Sequence, residues 1–237
     1  TYSVVNANPI FNNFTYEDTD TSITALTGDN QIIVKGYSDV KAIISTTNKA
    51  TAQKGANMVK YRLVIGSKQI DADYSDSSDV NLELENIDNN VFTVYAIDSR
   101  NNSTPKQISP EEYIDYFEPY ITSPIPTAIR TNGIDSETTL SFNGKFFNNN
   151  FGAVNNSLTI TYEYKKTNES TWTTGTTTIT PTIDGNDFSF TGLIAGDLGA
   201  NGFDQQYSYN IRLIVTDEIT SITYDGIILG TGKPNLA

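Results

Sequence analysis

The 237-residue chain contains no cysteine and no histidine. Without cysteine there are no disulfides and no thiolate metal sites, so the fold must hold by packing and hydrogen bonding alone. Without histidine the commonest general base and the commonest zinc ligand are gone, and Ser-His-Asp and Cys-His arrangements are excluded. No apolar run approaches the roughly 18–20 residues of a membrane-spanning helix. The opening TYSVVNANPI has neither an initiator Met nor a secretory apolar core, as expected of a segment cut from a longer chain. Basic residues are scarce as well: 15 Lys and Arg stand against 28 Asp and Glu, a net charge of −13, with no basic stripe. That field repels phosphate backbones and anionic lipid surfaces, so neither nucleic acid nor a membrane is an expected partner. Nor is there a phosphate-cradling loop. GTGKPN near the end has a Gly-Lys pair but lacks the spacing and the following Ser or Thr.

What the chain does have is aromatic and β-branched residues in alternation, with 14 Tyr and 11 Phe. In NNSLTITYEYKKTNESTWTTG (155–175), Leu158, Ile160, Tyr162 and Tyr164 fall on one face of an extended chain, and Thr159, Thr161, Glu163 and Lys165 on the other. The same period of two marks strands at 58–66, 79–86, 91–99, 138–147 and 206–217, separated by polar turn clusters such as SDSSD, IDNN, SRNNST and IDGND. Helix signals are scarce. Short strands at this spacing predict an all-β fold of sandwich type.

The pattern then repeats. VKYRLVIGSKQ leads to VNLELENIDNNVFTVYAIDSRNNS, and ITYEYKKTNESTW leads to FSFTGLIAGDLGANGFDQQYSYNIRLIVTDEITS. Each half has a long alternating strand, a polar connection, a short strand and a second long strand ending in Asp. Two tandem immunoglobulin/fibronectin type III-like β-sandwiches are therefore expected, the first over 1–116 with an N-terminal extension 1–8, the second over 117–237. The second half resembles a fibronectin type III module most closely: Tyr162, Tyr164 and Trp172 are followed by FTGLIAGD before a strand from Tyr207 to Val215. The insertion LGANGFDQQ lengthens that turn.

The boundary is expected in SPEEYIDYFEPYITSPIP (109–126), whose four prolines restrict it to an edge strand or linker. Its Tyr113, Tyr116, Phe117 and Tyr120 either pack between the domains or form an exposed aromatic surface for a partner. Trp172, the single Trp, either half-buries at the sandwich edge or offers its face to a sugar. These five residues are the candidate ligand contacts. DADYSDSSD, with Asp71, Asp73, Asp76 and Asp79, has oxygen ligands of the kind calcium takes but lacks the Gly and terminal Glu of an EF-hand. It is read as a polar turn, and EDTDTSITALTGDN (17–30) likewise. No carboxylate pair stands out as a glycosidase acid and base. No catalytic residue, metal site or cofactor is assigned, and the chain is not expected to be an enzyme.

Several longer segments carry a resemblance. NQIIVKGYSDVKAIISTTNKATAQKGANMVKYRLVIGSKQ, FTVYAIDSRNNST, ETTLSFNGKFFNNNFGAVNNSLTITYEYKK, STWTTGTTTITPTIDGNDFSFTGLIAGDLGANGF and GTGKPNLA are similar to minor structural, tail- or baseplate-associated proteins of long-tailed phages of Gram-positive bacteria. The likeness spans about residue 8 to the end and transfers no catalytic residue. It implies a virion component, assembled in the host cytoplasm beside other phage tail proteins, with host wall polysaccharide as a contact. The alternatives are a stalk or adhesin module of a Gram-positive cell surface, or an accessory carbohydrate-binding module of a secreted hydrolase.

Overall fold

The computed structural model describes residues 7–232. Residues 1–6 of the N-terminal extension, and all of GTGKPN beyond Gly232, lie outside the described residues. The chain divides into two compact units. One is Thr1–Tyr116 with Asn150–Val154, the other Phe117–Asn149 with Asn155–Ala237.

The first unit runs β1 (Thr15–Asp18), α1 (Thr21–Thr27), β2 (Ile32–Val34), β3 (Val40–Ile44), β4 (Met58–Ile65), β5 (Lys68–Asp73), β6 (Val80–Leu84), β7 (Phe92–Asp98), β8 (Ser103–Ile108) and β9 (Glu112–Ile114). One sheet has the order β1-β3-β6 and the other β5-β4-β7-β8, both antiparallel, while β2 and β9 form a parallel pair. Alternation dictates which side chains go in. Val40, Ala42 and Ile44 of β3 meet Tyr61, Leu63 and Ile65 of β4 and Phe92, Val94 and Ala96 of β7 in one cluster. Each fully buried Val, Leu, Ile or Phe among them contributes about 1.5–3 kcal/mol.

The second unit repeats the plan with β10 (Tyr120–Arg130), β11 (Thr138–Lys145), β12 (Thr159–Lys166), β13 (Thr173–Thr174), β14 (Thr182–Asp184), β15 (Asp187–Ile194), β16 (Tyr209–Thr216) and β17 (Ser221–Leu229). Its sheets are ordered β10-β11-β15-β14 and β13-β12-β16-β17. Strand for strand, β1-β3-β6 corresponds to β10-β11-β15, and β5-β4-β7-β8 to β13-β12-β16-β17. This is the immunoglobulin/fibronectin type III-like arrangement, used twice. Ile160, Tyr162 and Tyr164 are buried, against Ile211, Leu213 and Val215 of β16 and Leu140 and Phe142 of β11.

The repeat extends to a polar latch. Tyr61 and Tyr162 occupy the same place on β4 and β12, both fully buried, and each turns its hydroxyl to backbone outside its own sheet. Tyr61 accepts from Ala50 N at 2.8 Å, and Tyr162 donates to Ala195 O at 2.8 Å. Gly175 lies directly over the Tyr162 ring, and a Cβ there would come within 2.0 Å of it. Only glycine fits.

Three expectations are corrected. Residues 17–30 are not a plain polar turn: α1 forms because the Asp20 carboxylate accepts from Ser22 N and Ile23 N, and Gly28 closes the helix at φ 74. DADYSDSSD is a turn only in its second half, because Asp71 and Asp73 belong to β5 opposite Arg62 and Lys60. The strand expected from Tyr207 begins at Tyr209, whose side chain is fully buried. The proline-rich segment supplies β10, an edge strand, and Pro124 and Pro126 lie in its register shift between Thr122 and Thr127, where no ladder donor is needed.

Candidate functional site

Most of the ionisable groups that burial or geometry singles out hold the framework. Asp98 ends β7 and Asp217 directly follows the corresponding strand β16, and both are buried. Asp98 accepts from Arg100 N and Asn102 N, each at 2.9 Å, and Asp217 from Ile219 N and Thr220 N. Each carboxylate thereby fixes the hairpin that follows it. The Asp197 carboxylate accepts from the Tyr209 hydroxyl at 2.6 Å. Burial first, then that carboxylate, pushes the Tyr209 phenol far up, so it stays a donor. Asp71 accepts from Arg62 and Lys60, which hold its carboxyl well below the usual carboxylate range.

Arg130 is the least ordinary. It is only 4% exposed, and its guanidinium donates to the carbonyls of Gly230, Asp135, Phe203, Asp204 and Tyr207 at 2.8–3.2 Å. One side chain thus ties the end of β10 to the 203–207 loop and to the residue after β17. Nothing in the alternation of PIPTAIR marks it: Arg130 sits on the inward face, where an apolar residue is expected.

The five candidate contact residues separate. Trp172 is half-buried just before β13, with the Arg212 guanidinium 4.3 Å and the Lys165 ammonium 4.9 Å from its ring centre. Arg212 also bonds Glu163 at 2.7 Å across the β12–β16 ladder. The ring is thus a cover for cations on the outer sheet face. Tyr113 is half-buried, and its hydroxyl is enclosed without a hydrogen-bond partner. Tyr116, expected among the surface contacts, is instead buried at 3% exposure, packed edge-on to Tyr37 and against Phe151. Phe117 is half-buried against Phe147. Tyr120 alone is exposed, at 45%.

Open hollows rather than enclosed cavities mark both units. One of ≈ 410 Å³ in the first unit is lined by Thr51, Asn57, Met58, Tyr74 and Asp76. One of ≈ 350 Å³ in the second lies against β10, β11, β15 and β14, lined by Thr122, Asn143, Thr182, Asp184, Asp187 and Ser189. Among the described residues no group of three or more carboxylates is placed to hold a metal, and no helix is long and apolar enough to cross a membrane.

No family model matches the chain, and no curated protein matches it. Among solved structures it is similar to domains A168–A170 of titin, with 14% identity over 84% of this chain and a TM-score of 0.30. It spans 61% of that titin structure. Fibronectin(III)-like modules of Clostridium thermocellum CbhA match at 9% identity, 92% and 95% coverage and a TM-score of 0.26. Three N-terminal domains of the Highly Immunogenic Outer Capsid protein (Hoc) of bacteriophage RB49 match at 10% identity, 91% and 67% coverage and a TM-score of 0.35. At such scores none of these carries the fold assignment, which rests on strand order, register and burial.

Proposed function

We propose that the chain is a non-enzymatic structural module of a phage tail or baseplate that also assists attachment to the polysaccharide of a Gram-positive cell wall. The observation that carries this reading is the duplication. One sandwich plan is built twice in tandem, and its ionisable groups are committed to holding it: the Asp98 and Asp217 hairpins, the Asp197–Tyr209 bond, the Arg130 clasp and the Asp71 and Glu163 ion pairs. Groups held this way serve positioning, not proton transfer. The sequence resemblance to tail-associated proteins points to the virion as the place. Attachment would use shallow polar contacts, with many copies offsetting weak single-site affinity by avidity gains of about 10²–10⁴.

Immunogold labelling with antibody raised against the protein tests the assignment. Gold at the tail tip of phage particles whose genome encodes the chain is the expected result. Gold on the bacterial wall instead, with bare particles, would transfer the module to a cell-surface adhesin or stalk.

A further inference from the structure

The outer face of the β10-β11-β15-β14 sheet carries a row of side chains that the fold itself does not use. Register places Thr122 opposite Asn143, Asn143 opposite Ser189, and Ser189 opposite Thr182. Four neighbouring strands thus contribute one hydroxyl or amide each to a single line. At about 4.8 Å per strand the line is about 14 Å long. Among the described residues none of these four side chains is spent on a hydrogen bond within the protein. The next row differs, for Ser141 and Thr191 bond each other at 2.9 Å. The row floors the ≈ 350 Å³ hollow, within the range of about 300–1,000 Å³ typical of ligand sites.

Its flanks complete a site. On one side the register aligns Tyr120, Lys145 and Asp187 as the adjacent row of the same face. The Lys145 ammonium bonds Asp187 at 2.8 Å, and Asp184 stands opposite Asp187, so this row presents an aromatic ring, a closed ion pair and one terminal carboxylate. Asp184 stands at the β14 end of the hollow. An aromatic ring beside a line of unspent hydroxyl and amide groups suits a molecule with C–H faces and many hydroxyls. The surrounding −13 chain disfavours an anionic polymer.

We infer that this face of the second sandwich, centred on Tyr120, Thr122, Asn143, Ser189 and Thr182, is a binding site for a neutral, polyhydroxylated wall glycan. The inference rests on the attachment reading and gives it an address. Tyr120 stacks on a sugar face, the row donates to and accepts from ring hydroxyls, and Asp184, at the β14 end of the adjacent row, accepts from a further hydroxyl.

The test is an NMR titration of the full isotopically labelled protein with two fractions released from Gram-positive walls, the neutral polysaccharide and the teichoic acids. Shifts confined to β10, β11, β14 and β15 with the neutral fraction, and none with the anionic one, are expected. Tyr120→Ala and Asn143→Ala should each weaken binding about tenfold, the loss of one contact, without moving the thermal midpoint by more than a few degrees. Trp172→Ala should leave binding unchanged. Neutral-fraction shifts elsewhere on the molecule, or binding that survives both substitutions, would overturn the site and leave attachment standing. No shifts with either fraction would remove site and attachment together, while tail-tip gold would still preserve the structural role.

Discussion

Replacing Arg130 by Met removes five donors from one buried spot while keeping most of the side-chain volume. The five carbonyls it serves lie 2.8–3.2 Å away. Bonds to a charged group contribute about 1.5–3 kcal/mol each, so five represent roughly 7 kcal/mol or more. Against this stands the cost of burying a guanidinium, several kcal/mol, which also lowers the Arg130 pKa while leaving it ionised. The net expectation is a loss of about 3–4 kcal/mol, since the orphaned carbonyls of the 203–207 loop recover water only if the loop opens. For a unit of this size that lowers the midpoint by roughly 10–20 °C. The loss should be confined to the second sandwich, and the protein supplies its own reporter, because the single Trp lies there. Urea unfolding followed by Trp172 emission should shift strongly for Arg130→Met and less for Arg130→Lys, while the far-UV transition of the first sandwich stays in place. An Arg130→Met protein within about 1 kcal/mol of wild type would refute the claim that the clasp is a net stabiliser.

Other consequences follow from the same contacts. Tyr162→Phe loses the bond to Ala195 O, at about 1–2 kcal/mol by chemical denaturation. Gly175→Ala, which drives a methyl into the same ring, should cost at least as much. Asp71, whose folded-state pKa is lowered, contributes stability that is present above its unfolded value of 3.8 and lost as pH falls, so Asp71→Asn should flatten the acid limb of the pH–midpoint curve. Asp18 works in the opposite sense. Burial raises its pKa, its Oδ2 has no partner, and its favourable contribution below 3.8 is lost as pH rises through the folded-state value. Asp18→Asn should therefore raise the midpoint at pH 7 and leave it nearly unchanged at pH 3, by differential scanning calorimetry.

How much of this was legible depended on burial. The central strands β4, β7, β11, β12 and β16 show their alternation because one face of each is packed, so 58–66, 91–99, 138–147, 157–166 and 206–217 read as strands directly. The edge strand β6 alternates as well, over the expected 79–86, but the edge strand β5 gives no such signal. β5 sets Gln69, Asp71 and Asp73 on one face, where Asp71 pairs with Lys60 and Arg62, and leaves Ile70 exposed on the other, so no buried face marks it. α1 escaped because seven residues are too few for a 3.6-residue period, although Asp20 and Gly28 bracket it as caps. Arg130 was invisible for a different reason: its partners are backbone carbonyls as far as 100 residues along the chain. The row Thr122–Asn143–Ser189–Thr182 likewise exists only through register. The aromatic-rich 113–120 segment drew attention by composition, yet burial leaves Tyr120 alone on the surface, and the lone Trp172 proves to be stacked with its own cations.

The most direct measurement is staining of a panel of Gram-positive cells with the fluorescently labelled protein, held as tetramers to supply avidity, before and after the wall polysaccharide is stripped. Strain-selective staining that disappears on stripping is the predicted result. Staining that survives stripping, or none on any strain, would contradict a polysaccharide-attachment role.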